Sequence, residues 1–189
     1  MLSERQQRTR KRIGAHVDRG LKHQATAQLV ARKTGSEPPV HKPPGGLFIT
    51  QFGSLDEVVG LCERVDLTVP NVDWAHLHAR DRGRFKSADD FRRVLDEVER
   101  RLGSGVLKNL YCHFSHIEFT ERGEKRHVDL DVAGFGPDFG LLAGLFVELG
   151  LNPVVCCETP SLDVDAQKLR DILYEELKRK GGKINSVLA

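Results

Sequence analysis

Four side chains of metal-ligating type stand where short apolar runs of the sequence end. Asp73 and His76 close the run from Thr68 to His76, His113 falls at the end of Val106 to Phe114, and Glu158 closes Pro153 to Glu158. Imidazole nitrogens and carboxylate oxygens together are the ligands of zinc or a similar divalent ion, manganese among them. A lone histidine in an apolar run is usually a core residue with its hydrogen bonds satisfied, but four such groups at equivalent positions favour one shared site. His127, in Glu124-Lys125-Arg126-His127, belongs to the polar stretch after the third run and can fold back over the same edge. Taken alone it reads as a loop histidine. His78 and His116 lie beside the stronger ligands, and alternation along an extended chain turns some of these neighbours away. For both, a supporting role and a surface role stay open. Arg80, Arg82, Arg84 and Lys86 form a basic loop suited to phosphate contact, or simply a solvated loop that Asp81 dilutes. No phosphate-cradling glycine loop, dinucleotide fingerprint or serine elbow occurs, which sets aside nucleotide hydrolysis and serine chemistry.

The elements that must position these groups alternate apolar runs with amphipathic helices, the pattern of βα units around a parallel sheet. Four units are expected. The first pairs a strand at about Gly46 to Gln51 with a helix from Leu55 to Val65, started by Ser54 and Glu57 in capping-box spacing. The second pairs the strand Thr68 to His76 with a helix that begins behind Ser87 and stops at Gly103. Its Phe91, Val94, Leu95, Val98 and Leu102 fall on one helical face. The third strand, Val106 to Phe114, is followed by a long polar excursion from Ser115 to Gly136 and a helix at about Phe139 to Leu149; loops of that length tend to be functional. Glu121-Arg122-Gly123-Glu124 within it reads as a turn and not as acid/base machinery. The fourth strand, Pro153 to Glu158, leads to a helix from about Val164 to Arg179 ended by Gly181-Gly182. Strand ends that share one edge are where α/β barrels and open sheets build their sites.

The chain has 189 residues with 39% apolar and 30% charged side chains, a globular composition of one domain. Charge is segregated: residues 1–45 hold ten Lys and Arg against three Asp and Glu, and all twelve aromatic residues lie from Phe48 onward. We therefore expect a basic, poorly ordered or partly helical extension with a linker over 1–45, either a solvated tail or a phosphate-binding arm, and a folded body over 46–189. No apolar run of about eighteen residues is present to span a membrane, and the first thirty residues are too polar for a signal peptide. A cytoplasmic protein is expected. Cys62, Cys112, Cys156 and Cys157 show no C-x-x-C spacing and read as reduced core thiols, although Cys112 and Cys156 are of ligand type. Four βα units are half of a (β/α)8 barrel, which takes about 250 residues. The expected fold class is α/β, a partial TIM barrel with a basic N-terminal extension.

The segments Gln51-Phe52-Gly53-Ser54-Leu55, Val72-Asp73-Trp74-Ala75-His76-Leu77-His78-Ala79-Arg80, Asn109-Leu110-Tyr111-Cys112-His113-Phe114-Ser115 and Cys157-Glu158-Thr159-Pro160 resemble endonuclease IV. The resemblance is greatest to the archaeal-type branch of that apurinic/apyrimidinic endonuclease family, within the xylose isomerase-like TIM barrels, and covers residues 51 to about 180. It implies metal-dependent hydrolysis of the phosphodiester 5′ to an abasic site in DNA, in base-excision repair. It also implies that Asp73, His113 and Glu158 hold a catalytic zinc and that His76 and His127 hold another, with DNA phosphates met by Arg80, Arg82, Arg84 and Lys86. In better-known members an aspartate stands two residues before the last of these histidines, where this chain has Lys125. The family's first half supplies two further histidines and a bridging glutamate, whose place falls here near Pro43 and Pro44. The chain is thus expected to be the C-terminal half of such a barrel from a truncated or frame-shifted reading frame, and to self-associate through the sheet edges left open. Two other readings use the same residues: a sugar isomerase or epimerase of the xylose isomerase type, and a non-catalytic half-barrel remnant.

Overall fold

The computed structural model describes residues 53–121 and 123–181. The extension over 1–45, the expected strand over 46–51 and Gly182 lie outside the described residues. The rest is a mixed α/β structure: helix α1 (Leu55–Cys62), strand β1 (Asn71–Asp73), helices α2 (Trp74–Arg80), α3 (Ala88–Leu102) and α4 (Ser104–Lys108), strand β2 (Tyr111–Phe114), a β3 (His116–Thr120) and β4 (Gly123–Val128) hairpin, helix α5 (Phe139–Glu148), strand β5 (Val154–Cys157) and helix α6 (Asp163–Arg179). The strands β1, β2 and β5 form a parallel sheet in that order, and no barrel closes among the described residues.

Helix starts follow local chemistry. At α1 the Glu57 carboxylate accepts from the Ser54 N–H at 2.9 Å and its hydroxyl at 2.8 Å, while Ser54 Oγ accepts from the Glu57 N–H at 3.3 Å. Asp90 closes α3 in the same way, accepting from the Ser87 N–H at 2.9 Å and hydroxyl at 2.8 Å. The apolar stripe of α3 is buried through Phe91, Val94, Leu95 and Val98. It packs with Val72, Cys112 and Phe114 of the sheet and Phe139, Leu142 and Phe146 of α5 into one core. Trp74, the first residue of α2, locks into that core edge-on to Phe85 at 5.4 Å and against Phe91 at 5.5 Å.

Several expectations are corrected. The second strand ends at Asp73 and not at His76, because Asp73 accepts the His76 N–H at 3.0 Å and begins α2 at once. Val106 belongs to α4, a short helix seated by the buried Leu107, so the third strand begins only at Tyr111. Helix α1 stops at Cys62, short of Val65. The supposed loop after the third strand contains a β-hairpin, whose turn uses Gly123 at φ +114°. Ile117 also donates from its N–H to the Gly136 carbonyl at 2.8 Å, tying the hairpin to the chain that leads into α5. Ala75 and Ala79, four residues apart on α2, present a shallow face on which Ile117 and Phe119 of β3 rest. Gly83, at φ +88°, leaves room for the Phe119 ring; a Cβ there would stand 3.2 Å from it.

The sheet register sorts its side chains by face. Val72, Cys112 and Phe114 point into the core, whereas Asn71, Asp73, Tyr111, His113, Val154 and Cys156 share the opposite face. That face is covered on the β1 side and open on the β5 side, where Val154 is 58% exposed and Cys156 is exposed. Cys156 is therefore not a core thiol, and the reading of all four cysteines as packing is corrected there. Burial pushes the Cys112 thiol up to about 12, while Cys156 faces solvent. A thiol-specific reagent should label Cys156 in the folded chain and reach Cys112 only on unfolding, a difference that peptide mass mapping before and after denaturant would read.

Candidate metal centre

Three strands deliver one ligand-type side chain each to a common place. Asp73 ends β1, His113 lies opposite it in β2, and Glu158 follows β5, where its N–H continues the ladder to the Phe114 carbonyl at 3.0 Å. Asp73 divides its oxygens between two tasks. Oδ1 caps α2, and Oδ2 points toward His113 Nδ1 at 3.7 Å and His76 Nε2 at 3.6 Å. His113 Nδ1 comes within 2.8 Å of Glu158 Oε1. Yet Asp73 Oδ2 and His113 Nδ1 are both buried without a hydrogen bond, so the close approach to Glu158 lacks hydrogen-bond alignment. Donors at tetrahedral zinc distances lie about 3.4 Å apart, and these separations bracket that value. Buried polar atoms left unpaired are costly unless something else satisfies them. A divalent ion fits this set.

The second group arrives from α2 and the hairpin. His76 sits in the first turn of α2, and His127 on β4 meets it edge-on with ring centroids 5.2 Å apart. Ligand atoms of His76, His127 and Glu158 lie within 4.8 Å of one another, as do those of Asp73, His113 and Glu158. Glu158 is common to both groups.

Neighbours orient the rings. Ser115 Oγ, fully buried, shares a hydrogen bond with His127 Nδ1 at 2.7 Å, which leaves Nε2 for the centre. Asn71 Nδ2 stands 3.1 Å from His113 Nε2, while Asn71 Oδ1 is buried without a partner. A half-turn of that amide lets Oδ1 accept from Nε2–H, which satisfies the orphaned oxygen and frees the Nδ1 lone pair for an ion.

The electrostatics describe a centre where protons stand in for metal charge. Burial lifts the Asp73 carboxyl to about 6 against the pull of His76, with Glu158 adding to the rise. Burial opposes a charge on His76, but Asp73 and Glu124 outweigh it and raise the ring to about 9. Burial likewise works against His113, and its contact with Glu158 overcomes that, so its value also rises. Glu158 goes the other way: burial would raise it, but His113 and the other rings hold it below the usual carboxylate range.

The sequence-derived site residues divide clearly. Asp73, His76, His113, His127 and Glu158 converge. His78 does not: it is buried, accepts the Phe85 N–H at 3.1 Å through Nδ1, and is lowered to about 4 by burial, which corrects the reading of it as a surface or supporting histidine. Half-buried His116 belongs to neither three-residue group. Arg80 and Arg84 line a separate depression of about 260 Å³ with Ser54, Asp56 and Glu97, and Arg84 pairs with Asp81 at 3.0 Å. Arg82 and Lys86 are exposed. The residue missed from sequence is Glu124, whose Oε2 contacts His76 Nδ1. The signal was the hairpin itself, which a turn-rich polar stretch concealed.

No protein-family model matches the chain, and no solved structure matches it significantly. Over 128 residues it is 35% identical to an uncharacterized protein of Methanocaldococcus jannaschii, a match that covers 68% of this chain and 45% of that protein. The chain thus spans about half the length of that relative. No helix of the described residues is long and apolar enough to cross a membrane.

The proton on His76 sets the pH dependence of metal binding. Below about 9 an ion must displace that proton, so zinc affinity should rise with pH by up to about tenfold per unit until His76 is neutral. Below about 6, where Asp73 also takes up a proton, the dependence should steepen. Chelator-competition titrations across this range would read the slope, and a flat profile would contradict the centre.

Proposed function

We propose that this chain is the C-terminal half of an endonuclease IV-like barrel, whose strand-edge centre holds zinc or manganese and serves hydrolysis of DNA phosphodiesters at abasic sites. The observation that carries this reading is the pair of buried, unbonded ligand atoms, Asp73 Oδ2 and His113 Nδ1, facing Glu158 at the carboxyl ends of adjacent parallel strands. Such edges are where α/β folds place their chemistry. The order of the ligand-bearing segments and the half-length match to a longer relative support it further. When bound, the ion supplies Lewis acidity and a water acidified enough to act as nucleophile near neutral pH. The chain's own residues do the rest. Asp73, His113 and Glu158 hold one position, His76 and His127 with the shared Glu158 the other, and Asn71 and Ser115 fix ring orientation. Arg82 and Lys86, exposed on the loop after α2, are suited to meet the phosphate backbone. The outer edge of β5, unpaired among the described residues, is where the strands of a second copy would continue the sheet.

The test is zinc-dependent incision of a duplex carrying a stable abasic analogue, against an undamaged duplex and a free aldose. Incision of the damaged strand alone, lost by a factor of about 100 or more in Asp73→Ala and His113→Ala, is the expected result. Aldose conversion without incision would move the function to sugar isomerisation. A zinc-loaded chain that does neither would leave a metal-binding remnant and overturn the nuclease reading.

A further inference from the structure

The hairpin that carries His127 contains a local irregularity with a consequence for His76. Ile117 pairs with His127, Glu118 with Arg126, and Phe119 with Glu124, so Lys125 is an extra residue in β4. This is a β-bulge, and bulges re-aim side chains. In a regular strand Lys125 would share a face with His127, and Glu124 would point away. With the bulge, Lys125 and Arg126 both turn outward and pair with Glu118 at 2.5 and 2.6 Å. Glu124 is brought to the face of His127, the face on which Ile117 and Phe119 rest against Ala75 and Ala79 of α2. There its Oε2 meets His76 Nδ1, while His76 Nε2 lies toward Asp73 Oδ2.

We propose that Glu124, placed by the bulge at Lys125, is a positioning residue that accepts the His76 Nδ1–H and thereby commits Nε2 to the ion. This rests on the metal-centre reading. A histidine ligand whose other ring nitrogen donates to a carboxylate has its tautomer and its ring orientation fixed together. Glu124 does this from a hairpin, across 48 residues of sequence, and so ties the packing of the hairpin on α2 to the geometry of the centre.

The test uses the full chain with zinc alone as probe, read by competition with a chromophoric chelator and by the side-chain nitrogen shifts of His76. Three variants separate the causes. Glu124→Ala should weaken the zinc held by His76 by about 10- to 100-fold and leave zinc at Asp73, His113 and Glu158 in place. Glu124→Gln, which keeps an acceptor oxygen, should recover most of the affinity and the Nδ1–H signature. Deleting Lys125 makes β4 regular with Glu124 still on the His127 face, and should also keep both. Unchanged zinc affinity and an unchanged His76 tautomer in Glu124→Ala would overturn the role of Glu124 while leaving the metal centre intact. Zinc found on His76 Nδ1 would overturn it as well. Absence of zinc binding by the unmutated chain would overturn the metal centre and this inference with it.

Discussion

The Asp73 carboxylate is the constraint from which the rest follows. One oxygen ends β1 and starts α2 by capping the His76 N–H, and the other is aimed at His113 and His76. A carboxylate that caps a helix is held in orientation by backbone, so its second oxygen is fixed without further support. The same turn places Trp74 in the core and holds His76, whose N–H the cap binds, at the sheet edge. Strand end, helix start and first ligand are one local event of four residues. The sheet register then brings His113 beside Asp73, and the β5 extension brings Glu158 beside His113.

Much of this was legible in the residues, because the features that matter there are periodic or local. The stripe Phe91, Val94, Leu95 and Val98 and the capping pairs Ser54 with Glu57 and Ser87 with Asp90 obey spacing rules that tertiary contacts do not alter. Asp73, His113 and Glu158 fall at or next to strand ends, which can be placed to within a few residues even when strand starts cannot, whereas His127 enters the set only through the resemblance. What was missed depends on contacts between distant segments. Val106 carries a β-branched side chain suited to a strand, but the buried Leu107 holds it in a helical turn. For His78 a supporting role and a surface role are both open from sequence, yet two residues along α2 rotate it toward Phe85 and the interior. Glu124 was hidden by a bulge, which no alternation rule anticipates. Cys156 reads as core because a run of Val154, Val155, Cys156 and Cys157 carries no polar residue to mark its exposed side.

The charge pattern of the centre explains why its ligands tolerate burial. Asp73 and His113 are nearly inaccessible, and three imidazoles stand among three carboxylates when Glu124 is counted. His76, raised to about 9 beside Asp73 and Glu124, carries a compensating charge at neutral pH. The cost of that arrangement is competition: an ion binding these groups would have to remove the proton on His76.

Register and bulge give the two halves of the centre different tolerance to changes in chain length. In the sheet, Asp73, His113, Cys156 and Glu158 face one way by parity, so one residue gained or lost within Tyr111–Phe114 would exchange His113 for Cys112 or Phe114 and empty the site at a stroke. In the hairpin an odd residue is already absorbed at Lys125, and the side chains facing α2 depend on where the surplus sits rather than on the count. Over evolutionary time the sheet ligands should stay at fixed spacing from the ends of their strands, while the carboxylate opposite His76 can migrate along the hairpin as insertions come and go.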